Sequence, residues 1–345
     1  VKAETLAVFY QRVTKMATQL KVTRGRKLRT DGTVVETNIH APSDSHLLED
    51  SVRVIGRTLQ RAKRVISKQT GLADKVFRNR IRSARKTGRQ IRRLITRQKE
   101  AGKQAYRKLV KITKQTVDQA KQVLETLAVL SDDPAQGLRD TLETFIPRAE
   151  QVIDQTIRGV FRDEMVPAED KIVSIFEPHT AIIRRGKAGK PVEYGRKVWL
   201  DEVEGGIVTR WEVLDGNPND KLQWVPSLDA HQQLFGKPPT QASADRGVFS
   251  ADNETEAKNR GIKRVVLPKP GKKSEKRCQH EKQPWFRRAR KWHAGVEGRI
   301  SVLKRCYHLD RCLYQGQDGF HRWVGWSVIA HNLNKIGSTV VARSE

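Results

Sequence analysis

The chain has 345 residues, enough for two domains or for one domain with a large insertion, and carries a formal charge of +28 with an isoelectric point near 10.3. Such a field selects polyanionic partners: DNA, RNA or an anionic membrane surface. There is no run of about 18 apolar residues to span a bilayer, no secretory signal, and only Cys278, Cys306 and Cys312, too few for a disulfide framework and fitting a reducing compartment.

The chain opens on Val1 rather than Met, which fits a fragment or an alternative start codon. Residues 1–24 read as one amphipathic helix, with Leu6, Phe9, Val13, Met16 and Leu20 at helical spacing. A short strand through Val34, Val35 and Ile39 follows, closed by Pro42 and Ser43. From residue 44 to about 165 the chain reads as long helical segments, with breaks at Pro134 and Pro147. This stretch is lopsided in charge: 22 Lys or Arg stand against 3 acidic residues between Ser51 and Ala120. A merely solvated helical face would carry more compensating acid. Phosphate-backbone contact, mostly sequence-independent, is the preferred reading, with Arg78, Arg82, Arg85, Arg89, Arg92 and Arg93 facing solvent or DNA.

After Pro167 short β-like runs take over. They are Ile172–Phe176, a flexible stretch over Arg185–Lys190, and Val198–Leu200 paired with Ile207–Trp211 through Gly205-Gly206, a hairpin signal. A helix is expected over Asn219–Leu234 and a weak strand leading into Asp245. Ser250 caps a short helix that Gly261 ends. Val265–Leu267 forms a further strand, residues 268–284 a basic loop, and a helix starts near Pro284. The last helix covers about Phe320–Ile336.

Three acidic residues stand out because they sit in three different settings: Asp31 in a β-like run, Asp245 where a strand breaks at Gly247, and Glu297 in a helix. Oxygen ligands from separate elements are what a pair of Mg²⁺ ions needs for in-line attack on a phosphodiester. Asp31-Gly32 also suits a plain turn, and Asp245-Arg246-Gly247 a surface turn. Glu297 shares a helical stripe with Arg290, His293 and Lys304, beside an apolar stripe of Val296, Ile300 and Leu303. A salt-bridged amphipathic helix would read the same way. Gly295 and Gly298, each costing about 1 kcal/mol of helix propensity, leave room there for a close approach.

Six segments in order then resemble a bacterial insertion-sequence transposase of the DDE type, of the retroviral-integrase-like superfamily. They are Asp31–Glu36, Tyr194–Leu200, Gly216–Asp220, Ala244–Gly247, Ala294–Arg305 and Ala330–Leu333. The resemblance covers roughly residues 28–45 and 171–337. It implies an α/β fold, a ribonuclease-H-like mixed-sheet core interrupted by a long basic all-α insertion. The expected division is an N-terminal helix (1–27, a remnant of a DNA-reading domain), the first part of the core (28–43), the insertion (44–167) and the rest of the core (168–345). It also implies that Asp31, Asp245 and Glu297 are catalytic and ligate two Mg²⁺ ions, with Mn²⁺ able to substitute. Lys304 matches a lysine that contacts DNA near the cut. An arginine common four residues before the glutamate is replaced by His293.

The expected activity is metal-dependent DNA strand cleavage followed by 3′-hydroxyl strand transfer at insertion-sequence ends. The expected partners are double-stranded DNA, both transposon ends and target, with a homodimer in the DNA complex, no membrane, and a cytoplasmic, nucleoid-associated location. DNA contacts are assigned to Lys304, His293, Arg290, Arg246, Arg82, Arg85, Arg89, Arg92 and Arg93. Two rivals stay open: a ribonuclease-H-like nuclease without strand transfer, and a non-catalytic DNA-binding protein or decayed transposase. Cys278, His280, Cys306, His308 and Cys312 lack zinc-site spacing and read as ordinary residues. Trp323 and Trp326 read as core, and Trp285 and Trp292, among arginines, as candidates for stacking on DNA.

Overall fold

The run from Leu28 to Val35 alternates so that Leu28, Thr30, Gly32 and Val34 point to one face of a strand and Arg29, Asp31, Thr33 and Val35 to the other. In the computed structural model, which describes residues 3–66, 77–130, 133–187 and 190–344, this run forms β1 (Lys27–Thr37). The chain divides into two units, Val1–Asn38 with Ala181–Glu345, and Ile39–Thr180.

In the first unit β1 lies inside a seven-stranded sheet. The order is β2 (Ala181–Lys187), β3 (Lys190–Val203), β1, β5 (Gln241–Ser243) and β6 (Arg264–Val266). β4 (Ile207–Val213) pairs with the second half of β3, and β7 (Arg311–Cys312) with the end of β1. β2, β3 and β4 run antiparallel to their neighbours, whereas β5, β6 and β7 pair in parallel. The β3–β4 hairpin turns on Gly205 and Gly206, whose φ of 86° and 76° only glycine adopts at little cost.

β1 has no strand neighbour on its β5 side between residues 30 and 35 among the described residues. β5 stops pairing at Arg29–Ser243 and β7 begins at Glu36–Arg311. Helices cover both faces. One side packs Leu28, Trp199 and Val203 against Trp224 and Leu228 of α6 (Trp224–Phe235). The other packs Val35, Val198 and Leu200 against Leu303 of α9 (Pro284–Cys306) and Phe320, Val324 and Val328 of α10 (Gly316–Ser344). Arg29, Asp31 and Thr33 therefore share the α9 face. α1 (Ala3–Gln19) packs beside α10, and the Arg343 guanidinium donates to the carbonyls of Leu20 and Lys21 beyond its C-terminus.

The second unit packs α2 (Asp44–Ile66), α3 (Ile81–Leu94), α4 (Lys99–Ala128) and α5 (Asp133–Thr156) around one core that includes Leu48, Ile55, Leu109, Val117, Leu142 and Val152. No described helix is long and apolar enough to cross a membrane.

Several expected elements differ. Pro147 lies inside α5 instead of breaking it, because Leu142, Ile146, Ala149 and Val152 keep the helix buried on either side. Ile172–Phe176 is not a strand: the Gln155 amide donates to the Ile172 carbonyl and accepts from its N–H, replacing a ladder partner with a side chain. The 268–284 loop contains α8 (Glu275–Lys282), capped by the Ser274 hydroxyl and tied by the Lys269 N–H and Arg277 side chain to Glu281. The stretch expected to be flexible over Arg185–Lys190 carries the end of β2 and the start of β3; Ala188 and Gly189 lie outside the described residues. α7 (Ala251–Asn259) is capped by Ser250 and followed by Gly261 at φ 80°, as its sequence predicts.

Candidate active site

The gap in the ladder beside residues 30–35 opens into a cavity of about 230 Å³. Asp31, Gly32, Thr33, Val34, Lys197, Asp220 and Asp245 contribute to its wall. Strands that part at a point where the chain leaves in different directions form such a crevice for ligands. Asp31 Oδ1 accepts from the Gly32 N–H at 2.7 Å. Asp245 caps the short 3₁₀ turn Arg246–Val248, its Oδ1 accepting from the Gly247 N–H at 2.8 Å. Asp220 belongs to the same wall and ion-pairs with Lys197, whose ammonium also donates to the Pro218 carbonyl at 3.0 Å. A Cβ built on Gly247 would lie 3.2 Å from Asp245 Oδ1 and 3.6 Å from Asp220 Oδ2, so the two carboxylates flank the same turn.

Glu297 is exposed on α9 and does not line this cavity. Its helix is nonetheless pegged along β1. The Arg29 guanidinium donates to the Trp292 carbonyl, and Lys304 Nζ donates to the Val34 carbonyl at 2.7 Å, on the stretch of β1 without a strand neighbour. Twelve helical residues rise about 18 Å and five strand residues about 17 Å, so α9 and β1 advance together between these pegs. Glu297, about 7.5 Å past Trp292, is nearly level with Asp31, about 6.6 Å past Arg29.

The other expected DNA contacts divide. Arg246 and Arg290 are exposed. His293 packs inward, hydrogen-bonded to the Ser243 backbone; burial first, then Arg29 and Arg290, lowers its pKa to about 4. That neutral, inward ring is not placed as a phosphate contact. Lys304 is half-buried against β1. In the helical unit Arg82, Arg85, Lys86, Arg89 and Arg93 line one basic concavity of about 520 Å³ on α3, and all are exposed. Arg92 is exposed too, pairing with Glu49 at 3.2 Å, and Arg78 is exposed before α3.

Aromatic residues are taken up locally. Trp292 lies under the Arg29 guanidinium, 4.8 Å from ring centroid to Cζ, and Trp285 packs edge-on against Phe286 and His280. Trp323 Nε1 donates to the His308 carbonyl, and Trp326 meets Phe9. Asn332 brackets Val208 of β4, accepting from its N–H and donating to its carbonyl at 3.0 and 2.8 Å.

The sequence reading assigned no site role to Lys197, Asp220, Glu202 or Arg299, although all but Glu202 lie in segments that carry the resemblance. One signal for Glu202 was present: charges in Leu28-Arg29-Thr30 and Leu200-Asp201-Glu202-Val203 interrupt otherwise buried strands, and buried charges need partners.

The donor chemistry of Asp31 and Asp245 suits a hard divalent cation, which takes carboxylate oxygens. Asp220 Oδ1, buried in the same wall and without a hydrogen-bond partner beyond its ion pair, adds to that character. Among the described residues no group of three or more His, Cys, Asp or Glu is gathered closely enough to hold a metal ion, and Glu297 lies outside the cavity wall that Asp31 and Asp245 share.

Residues 253–337 match a family model described as a transposase DDE domain, which supports a DDE-type transposase. No curated protein and no solved structure gave a match.

Proposed function

We propose that this chain, a DDE-type transposase by the domain it carries in residues 253–337, performs divalent-metal-dependent DNA strand cleavage and then 3′-hydroxyl strand transfer at insertion-sequence ends. The observation that carries the reading is the convergence of Asp31 and Asp245 on one cavity at the point where β5 leaves β1. The strand order, antiparallel β4-β3-β1 continuing into parallel β1-β5-β6, supports a ribonuclease-H-like core interrupted by the helical unit.

Asp31 and Asp245 would hold the cation, with Glu297 as a third ligand and Mg²⁺ or Mn²⁺ as the ion. Two such ions, when bound, supply charge stabilisation at the attacking and leaving oxygens of an in-line displacement. The residues do the rest. The carboxylates would fix where the scissile phosphate sits, and the exposed Arg246, next to Asp245 in the chain, and Arg290, seven residues before Glu297 on α9, would add positive charge for DNA. Arg82, Arg85, Arg89, Arg92 and Arg93 supply sequence-independent affinity for the phosphate backbone. Since no side chain need form a covalent bond to DNA, one site serves water first and a DNA 3′-hydroxyl second. A homodimer on paired transposon ends and a cytoplasmic, nucleoid-associated location complete the reading.

One observation favours a second reading, a DNA-binding chain that no longer cuts: Glu297 is outside the cavity wall. Mg²⁺-dependent cleavage and joining of DNA ends, measured on wild type and on Glu297→Gln, separates the two. Cutting by wild type and none by the variant supports the transposase; no cutting by either supports the silent binder. Cutting without joining of pre-cut ends supports a nuclease.

A further inference from the structure

Glu202 stands in β3 with 1% of its surface exposed, between two arginines. Arg29 grips it bidentately, Nε to Oε2 at 2.9 Å and Nη2 to Oε1 at 2.7 Å, and Arg299 Nε donates to Oε1 at 3.2 Å. Arg29 lies on β1 two residues before Asp31, and Arg299 lies on α9 two residues after Glu297. The Arg29 guanidinium also reaches α9 itself, donating to the Trp292 carbonyl and lying so close beneath Gly295 that a Cβ there would be 2.5 Å from Nη1. Arg299 Nη1 in turn meets His331 Nε2 of α10 at 3.0 Å.

Stability is a poor reason for such an arrangement. Desolvating these charges is costly, and apolar residues of the same volume often hold a fold equally well or better. What paired guanidinium–carboxylate contacts add is fixed direction and distance.

We propose that Glu202 is a positioning residue: by joining Arg29 to Arg299 it sets α9 against β1, and so sets where Glu297 stands relative to Asp31 and Asp245. The inference rests on reading those three carboxylates as the cation site. Glu202 touches neither DNA nor the reacting atoms. It acts through Arg29 and Arg299 on where Glu297 is held, so its loss should weaken metal binding by about 10- to 100-fold although all three carboxylates are still present.

The test uses the full chain and Mn²⁺ as probe, with binding followed by electron paramagnetic resonance beside thermal unfolding and DNA affinity. Glu202→Gln and Arg299→Met should each raise the half-saturating Mn²⁺ concentration about tenfold or more, with DNA affinity unchanged. The triple variant Arg29→Met, Glu202→Leu, Arg299→Met replaces the charges by apolar volume. It should fold with an unfolding midpoint close to wild type and still bind Mn²⁺ weakly, which a merely structural role would not produce. Wild-type Mn²⁺ affinity in a folded Arg299→Met or triple variant overturns the positioning role alone, provided Asp31→Asn abolishes binding. If Asp31→Asn and Asp245→Asn bind Mn²⁺ as wild type does, the cation site itself is wrong and the inference falls with it. Should Glu202→Gln fail to fold, the other two variants decide.

Discussion

Asp31 and Asp245 each lie two residues beyond the last paired couple of the parallel strands β1 and β5, Arg29 and Ser243. The register that pairs Leu28 with Ala242 sets the two chains side by side up to that point; beyond it Asp31 continues along β1, while Asp245 follows the end of β5 and caps the next turn. Both line one cavity, and α9, held at Arg29 and at Val34, passes over β1 at that level.

Asp31→Asn, Asp245→Asn and Glu297→Gln should each abolish Mg²⁺-dependent cutting and leave DNA affinity within about twofold, since phosphate contacts by the basic residues supply that affinity. Lys304→Ala should cost about 1 kcal/mol of stability through the lost bond to the Val34 carbonyl and should reduce cutting. Cleavage and binding assays run on the four variants check this. Full cutting by Glu297→Gln would remove that residue from the site, and wild-type cutting by Lys304→Ala would leave the lysine a purely structural peg.

The two glycines of α9 flanking Glu297 should behave oppositely. A Cβ at Gly295 meets Arg29, which Glu202 holds in place, so Gly295→Ala is expected to destabilise by about 1–3 kcal/mol. Gly298 has nothing within 4 Å of the same position, and Gly298→Ala should stabilise by about 0.5–1 kcal/mol through helix propensity. Denaturant midpoints for the pair decide the matter. Equal effects would mean Arg29 moves aside freely.

Arg82, Arg85, Arg89 and Arg93 lie along one exposed face of α3. Replacing them with Ala should weaken binding to unrelated DNA sequences alike and lower the slope of log affinity against log salt by about 0.9 per lost contact. An unchanged slope would move the DNA-binding surface elsewhere.

Stability of the sheet unit should fall with acid. His231, His293 and His331 each have a pKa lowered to about 4, in every case first by burial. A depressed histidine contributes stability that is complete above its ordinary 6.5 and lost as pH falls through the folded value. Asp201 acts in the other direction: burial raises its carboxyl to about 6, so its contribution is present below its ordinary 3.8 and lost as pH rises through 6. Unfolding midpoints should therefore drop between pH 6.5 and 4. Asp201→Asn should stabilise the chain at pH 7 and change little near pH 4. A flat profile from pH 7 to 4 would show that these histidines titrate normally when folded.

Helix ends and hairpins were legible in the residues because they are decided locally. Ser250 caps and Gly261 ends α7, Gly205-Gly206 turns the β3–β4 hairpin, and Pro284 starts α9, each through its own backbone geometry. The helices α2 to α5 among the described residues of 44–165 were expected from a stretch with only scattered glycines, and the charge there was read directly from composition. Local rules failed where a distant partner decided. Gln155 took the backbone of Ile172 away from any sheet, and packing on both sides carried α5 through Pro147. The sequence by itself singled out Asp31, Asp245 and Glu297 as residues. Only the tertiary structure brought Asp31 beside Asp245, because parallel pairing of strands more than 200 residues apart in the chain has no local signature. It also turned His293 inward to Ser243, pinned Lys304 on Val34, and added Lys197 and Asp220 to the cavity wall. Those outcomes depend on which groups long-range pairing leaves buried and in need of a partner, and no spacing along the chain encodes that.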